Sequence, residues 1–183
     1  TTGGTIASLP QDNGDVSATL SGEELIQRLG IKGKIKVKSL VTLGSFALDF
    51  ETLYEIAKGV TEALEDPEVE GVVITHGTDT MEETAYYLSL VAHHPEKPVI
   101  LTGAQLDASH SFTDGMKNLQ DAVYAASSKE LKGFGTLIVF AGFVHVARDV
   151  QKVDTSALEG FSSPGWGPVA RVDGEKVIVA RRV

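Results

Sequence analysis

The chain has 183 residues, 42% hydrophobic and 22% charged, the proportions of an ordinary folded domain rather than a disordered, fibrous or disulfide-stapled one. Its 16 Lys and Arg stand against 25 Asp and Glu, a net charge of −9, which disfavours nucleic acid as a partner because that affinity rests on neutralising phosphates. There is no cysteine, which removes disulfides, thiolate metal ligands and a Cys nucleophile together, and no stretch nears the ~18 apolar residues that span a membrane.

The chain opens Thr1-Thr2-Gly3-Gly4, with no initiator Met and no charged or apolar leader. This start is expected to be a trimmed one, and the location cytoplasmic, with the periplasm as the alternative. Ser21-Gly22-Glu23-Glu24 has the form of a capping box, with Leu20 and Leu25 as its hydrophobic staple and Gly30 closing the helix. The charged but alternating run from Lys34 to Leu43 predicts a strand with Ile35, Val37 and Ser39 on one face. Asp49 starts a second helix in which Phe50, Leu53, Ile56, Val60 and Leu64 recur at helical spacing, and Glu65-Asp66-Pro67 ends it.

Gly71 to Thr75 is a short continuous apolar run, the kind buried on both faces of a parallel sheet. It leads through His76-Gly77-Thr78-Asp79-Thr80 into a helix for which Thr80 and Glu83 offer a second capping box. Pro98 to Thr102 is the next buried strand, followed by a polar loop, a helix over about 114–128 and the strand Thr136 to Phe140. Val169 to Val172 and Lys176 to Ala180 flank Asp173-Gly174, a hairpin signal. Strand and helix alternate, so the expected fold is α/β over 1–183, a single domain. Its sheet is expected to be largely parallel, with flanking helices and a C-terminal β-hairpin.

In an open α/β sheet, ligands bind beyond the carboxyl ends of the strands. Ser45 follows the strand ending near Leu43, Gly77, Thr78 and Asp79 follow the one ending at Thr75, and Gly103-Ala104-Gln105 follow Thr102. Gly3 and Gly4 beside Thr2 permit a tight turn and close backbone approach. A threonine is a weak nucleophile until a base takes its proton. Asp79 and Lys152 are candidates for that activation, although spacing alone does not bring Lys152 to Thr78. Each also has a plainer reading: helix capping for Thr78 and Asp79, a solvated side chain for Lys152, a loop hydroxyl for Ser45. His93 and His94 beside Pro95 read as a solvated helix end, and His76, His110 and His145 lack metal-ligand spacing. Neither a metal nor a cofactor is therefore expected. Phe134, Phe140 and Phe143 read as core, and Trp166 as packing a loop.

The segments Thr2-Gly3-Gly4-Thr5-Ile6-Ala7, His76-Gly77-Thr78-Asp79-Thr80-Met81-Glu82-Glu83-Thr84-Ala85, Thr102-Gly103-Ala104 and Arg148-Asp149-Val150 with Lys152 resemble the L-asparaginases. The wording around Thr78 is similar to the bacterial type II group. The resemblance runs over essentially the whole chain but covers only the family's larger N-terminal domain. It implies hydrolysis of L-asparagine to L-aspartate and ammonia, with Thr2 as nucleophile and Thr78, Asp79 and Lys152 as a second catalytic group. It also implies substrate contacts from Ser45, Gly77, Thr78, Asp79 and the Ala104 backbone, and assembly as a homo-oligomer.

Three departures from the family pattern carry expectations. Where many members have an assisting Tyr in a mobile loop, Asp15 stands, a candidate lid residue; no Tyr precedes Tyr54. Phe46 follows Ser45 where type II enzymes present Gln, which predicts weak activity on glutamine. The family's C-terminal domain and its first strand, before Thr2, are expected to be absent. Two other functions share these features: an ammonia-generating subunit of a tRNA-dependent amidotransferase, disfavoured by the acidic charge, and an amino-acid-binding domain that needs a second domain for turnover.

Overall fold

Three apolar runs form the parallel centre of the fold. The computed structural model describes residues 1–11, 16–31 and 33–183. In chain order these build β1 (Ser8–Pro10), β2 (Val16–Ala18), α1 (Gly22–Leu29), α2 (Phe50–Glu65), β3 (Val72–Thr75), α3 (Met81–Val91), β4 (Val99–Thr102) and α4 (Gly115–Ser127). Then follow β5 (Thr136–Phe140), β6 (Phe143–Val146), β7 (Gln151–Lys152), β8 (Phe161–Ser162), β9 (Ala170–Asp173) and β10 (Lys176–Val179). The six-stranded sheet has the order β10-β9-β6-β5-β4-β3, with β1-β2 and β7-β8 as separate two-stranded pairs.

The α/β class with flanking helices holds, but the sheet is mixed. Only β3-β4-β5 pair in parallel; β5-β6, β6-β9 and β9-β10 are antiparallel. After Phe140 the chain reverses through Ala141-Gly142, at φ 50° and 80°, the double positive φ of a two-residue hairpin turn. Such a turn leaves no room for the crossover that parallel pairing needs. Phe143, first residue of β6, is partly exposed rather than core. In the C-terminal hairpin Asp173 pairs with Lys176, so the turn residues are Gly174 and Glu175, one position later than Asp173-Gly174.

Period-2 alternation in β4 and β5 supplies both halves of the core. Leu101 and Ile138 face α2 and α3 with Ile56, Val60, Met81 and Leu88. Ile100, Leu137 and Val139 face α4 with Ala122 and Ala125. Each buried Leu or Ile contributes about 1.5–3 kcal/mol through the apolar surface it removes from water.

Local signals are realised where nothing distant competes. At α1, Ser21 Oγ accepts from Glu24 N at 3.2 Å and Glu24 Oε2 accepts from Ser21 N at 2.7 Å. Gly30 ends the helix in the left-handed conformation. Asp49 caps α2 through Thr52 N at 2.8 Å. Phe50, however, is 88% exposed, because it lies ahead of the stripe that Ile56, Val60 and Leu64 bury.

The capping box expected at Thr80 and Glu83 does not form, since Thr80 Oγ1 donates to Ser45 O at 2.9 Å instead. The run Lys34 to Leu43 is extended without being a regular strand. Its lysines alternate outward to ion pairs with Glu62, Asp66 and Glu68, and Ile35 and Val37 lie half-buried. Ser39 is exposed, contrary to its expected place beside them. The backbone partner of this run is the short stretch Thr1–Gly4, too brief for a full ladder.

Candidate active site

The carboxyl end of β3 is where the chain's first residues dock. Thr2 N donates to Thr75 O at 3.1 Å, while Leu43 N donates to Thr2 O and Gly4 N to Leu43 O, each at 3.2 Å. Thr1–Gly4 thus lies between the extended run ending at Leu43 and the end of β3. Gly3 and Gly4 have φ of 93° and 83°, a region that side chains rarely adopt. A Cβ on Gly4 would stand 2.5 Å from Gly77 N, and one on Gly3 would stand 2.7 Å from Leu43 O. The two glycines let the Thr2 loop press directly on the loop that carries Thr78. Thr2 itself is buried, and its Oγ1 donates to Thr75 O at 2.8 Å.

The second loop runs from β3 into α3 through a single 3-10 turn, Thr78–Thr80. Lys152, from β7, extends its Nζ to within 2.8 Å of both Thr78 Oγ1 and Asp79 Oδ1. Its side chain is only 12% exposed, so the solvated-lysine reading does not describe it. The ammonium donates to both oxygens, and Thr78 Oγ1 directs its own proton to Gln105 Oε1 at 3.4 Å. An amine so held can stabilise an alkoxide, or take a proton from the hydroxyl once it has lost one of its own.

Ser45 is buried, its Oγ accepting from Asp79 N at 3.1 Å. Gly77 is needed beside it, because a Cβ there would come within 2.6 Å of Ser45 Oγ. The plainer reading of Ser45, a loop hydroxyl bonded to backbone, describes the acceptor side of this oxygen; among the described residues nothing takes its proton. Ala104 is buried in the loop after β4. Asp15 lies outside the described residues. Phe46 is 80% exposed. Trp166 is largely exposed too, with Arg181 6.0 Å from the centre of its ring, and packs less than expected; the flanking Gly165 and Gly167 carry no side chains to cover it.

Several residues that frame the site have no role that the sequence assigns. Asp114 accepts from Gln105 N, from Leu106 N at 3.0 Å and from Asn118 Nδ2 at 3.0 Å. Asn118 Nδ2 also donates to Gly103 O at 3.1 Å, and its Oδ1 accepts from Ala141 N at 2.9 Å. These two side chains hold the whole turn from Gly103 to Leu106. Asp114 reads in sequence only as the start of α4; an Asn one helical turn later was the available clue. Gln105 Nε2 donates to Ala157 O at 3.0 Å, tying the site to the loop after β7. His76 is fully buried, with Nδ1 2.7 Å from Gly77 O and Nε2 3.0 Å from Thr84 Oγ1. Burial holds its pKa below the usual value. A carbonyl can only accept, so the neutral ring carries its proton on Nδ1 and braces the Gly77 carbonyl, while Thr84 donates to Nε2. Among the described residues, no three of His, Cys, Asp and Glu are grouped to hold a metal ion.

The fold and this cluster define an α/β domain whose hydroxyls, amine and carboxylate gather beyond the carboxyl ends of parallel strands. The family profile described as "Asparaginase, N-terminal" matches residues 1–183. The chain belongs to the asparaginase family. It is 39% identical over 186 residues to an L-asparaginase of Bacillus licheniformis, covering 100% of this chain and 58% of that protein. A probable periplasmic L-asparaginase of Haemophilus influenzae is 38% identical over 183 residues, covering 96% of this chain and 51% of that protein. The crystal structure of a probable cytoplasmic L-asparaginase from Campylobacter jejuni superposes with a TM-score of 0.89 at 32% identity, over 100% of this chain and 57% of that one. The chain therefore spans 58% and 51% of the lengths of these two curated relatives. Of these three proteins, the Haemophilus influenzae one is named as periplasmic and the Campylobacter jejuni one as cytoplasmic. Among the described residues no helix is long and apolar enough to cross a membrane.

Proposed function

We propose that this chain carries the catalytic machinery for hydrolysing L-asparagine to L-aspartate and ammonia. The observation that carries the reading is the position of Lys152 Nζ, 2.8 Å from both Thr78 and Asp79, beside the loop that holds Thr2. In this reading Thr2 Oγ attacks the side-chain amide carbon. Its proton passes to the departing nitrogen, which leaves as ammonia, and the acyl group remains as an ester on Thr2. Lys152, held by Asp79 and in its free amine form, then takes the proton of Thr78 Oγ1, which takes one from water; the resulting hydroxide attacks the ester, and the proton returns from Lys152 through Thr78 to Thr2 Oγ as it leaves. Ser45 and Asp79 hold the substrate's carboxylate and ammonium, and the Gly77 and Ala104 backbones border its amide. Backbone donors are stationary dipoles, suited to the charge that develops on the carbonyl oxygen.

The substrate is small and needs no cofactor in this reading. Assembly as a homo-oligomer is supported by the exposed aromatic side chains Phe46, next to Ser45, and Phe50 and Tyr54 on α2. The test is ammonia release from L-asparagine by the chain and by its Thr2→Ala and Lys152→Ala forms. Each substitution is expected to lower kcat by about 10³-fold or more, as when one member of a jointly acting set is removed. Turnover that survives both substitutions overturns the reading, as does calorimetry showing asparagine bound and no ammonia formed.

A further inference from the structure

We propose that Glu82 is a positioning residue for Lys152, fixing the main chain from which the ammonium reaches Thr78 and Asp79. The inference rests on the proposed role of Lys152. It begins from how little holds that residue in place. β7 is outside the six-stranded sheet and, among the described residues, pairs only with β8, through Gln151↔Ser162 and Lys152↔Phe161. Two residue pairs are too few to make a rigid platform. On the β8 side, Phe161 anchors the pair by packing its ring 4.9 Å from that of Phe140.

On the other side the contact is made by Glu82. Backbone N–H groups alternate in direction along a strand. Val153 N donates across the pair to Gly160 O at 2.8 Å, so the N–H of Lys152 points away from β8. It donates to the carboxylate Oε2 of Glu82. Glu82 belongs to the first turn of α3, where a carboxylate is favoured by the helix's positive end. It is half-buried, whereas its neighbour Glu83 is exposed.

One helix start therefore grips Lys152 twice. Thr78 and Asp79, just before α3, take the ammonium, and Glu82, just inside it, takes the backbone N–H. Without Glu82, Lys152 is held by the two-residue β7-β8 pair on one side and by the tip of its side chain. The amine then samples positions away from Thr78 Oγ1, and small displacements of a reacting group cost rate steeply. Binding groups such as Ser45 are untouched, so the loss falls on kcat rather than KM.

The test compares Glu82→Ala, Glu82→Gln, Lys152→Ala and the double form Glu82→Ala/Lys152→Ala in ammonia release, with hydrogen exchange at the Lys152 amide. Glu82→Ala is expected to lower kcat about tenfold or more with KM within about twofold, and the double form to be no slower than Lys152→Ala. Glu82→Gln keeps an acceptor oxygen and is expected to recover most of the loss. The Lys152 amide is expected to exchange at least about tenfold faster in Glu82→Ala than in the native chain. An unaltered kcat in Glu82→Ala, where Lys152→Ala is inactive, overturns the inference and leaves the proposed function standing. If Lys152→Ala keeps its turnover, or the native chain has none, the proposed function falls. The amide then decides whether Glu82 positions Lys152, and unaltered exchange overturns that too.

Discussion

Acid should destabilise this fold through one imidazole whose environment is unusually simple. His145 lies on β6, 3% exposed, with Nδ1 2.9 Å from Ser163 Oγ and Nε2 buried with no partner among the described residues. Burial lowers its pKa from 6.5 to about 4. Between those two values the unfolded chain binds a proton that the folded chain refuses. Stability is therefore full above about pH 6.5 and falls as the pH falls. The gap converts to about 2 kcal/mol lost at pH 5 and about 3 kcal/mol at pH 4. His145→Asn keeps a polar atom near Ser163 and cannot titrate. Urea unfolding at pH 7 and pH 5 measures the difference in each protein. The native chain is expected to lose about 2 kcal/mol more than His145→Asn across that interval, whatever the variant's stability at pH 7. The buried His76, also held below its usual pKa, is present in both proteins and cancels. Equal losses in the two proteins would refute the reasoning.

Two predictions concern the site. Gly4→Ala puts a Cβ 2.5 Å from Gly77 N at a φ of +83°, so the Thr2 loop must withdraw from the Thr78 loop. A displacement near 1 Å is expected to cost about 100-fold in kcat, read by ammonia release; a native rate would mean the two loops need not touch. Phe46 gives the substrate no amide to bond. Turnover of asparagine should exceed that of glutamine by at least about tenfold under matched conditions, and comparable rates would refute this reading of Phe46.

Much of the fold is legible because its determinants are local. The apolar runs of β3, β4 and β5 and the Ser21–Glu24 box need only their own residues to announce them. The second box at Thr80 is just as well spelled, yet Thr80 Oγ1 bonds to Ser45 O, 35 residues away. A local signal loses when a tertiary acceptor turns the hydroxyl away from the backbone N–H that it would cap. The run Lys34 to Leu43 has the alternation of a strand, but a ladder needs a partner of equal length and Thr1–Gly4 is not one. The reversal at Ala141-Gly142 is hard to read for another reason: Ala141 holds φ 50°, which alanine rarely adopts, so Gly142 alone marks the turn.

The site divides along the same line. Thr2, Thr78, Asp79 and Lys152 stand in segments whose wording resembles a family, and the last three meet at 2.8 Å. The groups that hold those segments in place are not marked as such: Asp114 and Asn118 lie outside the segments, and Glu82 lies inside one with no role attached to it. Asp114 and Asn118 act on backbone, and so does Glu82; a backbone N–H has the same chemistry in every residue but proline. A pattern of residue types records which side chain reacts far better than which carboxylate holds a strand still. The chemistry of this site was thus readable from side-chain identity, while its geometry rests on bonds to the main chain that only the folded arrangement reveals.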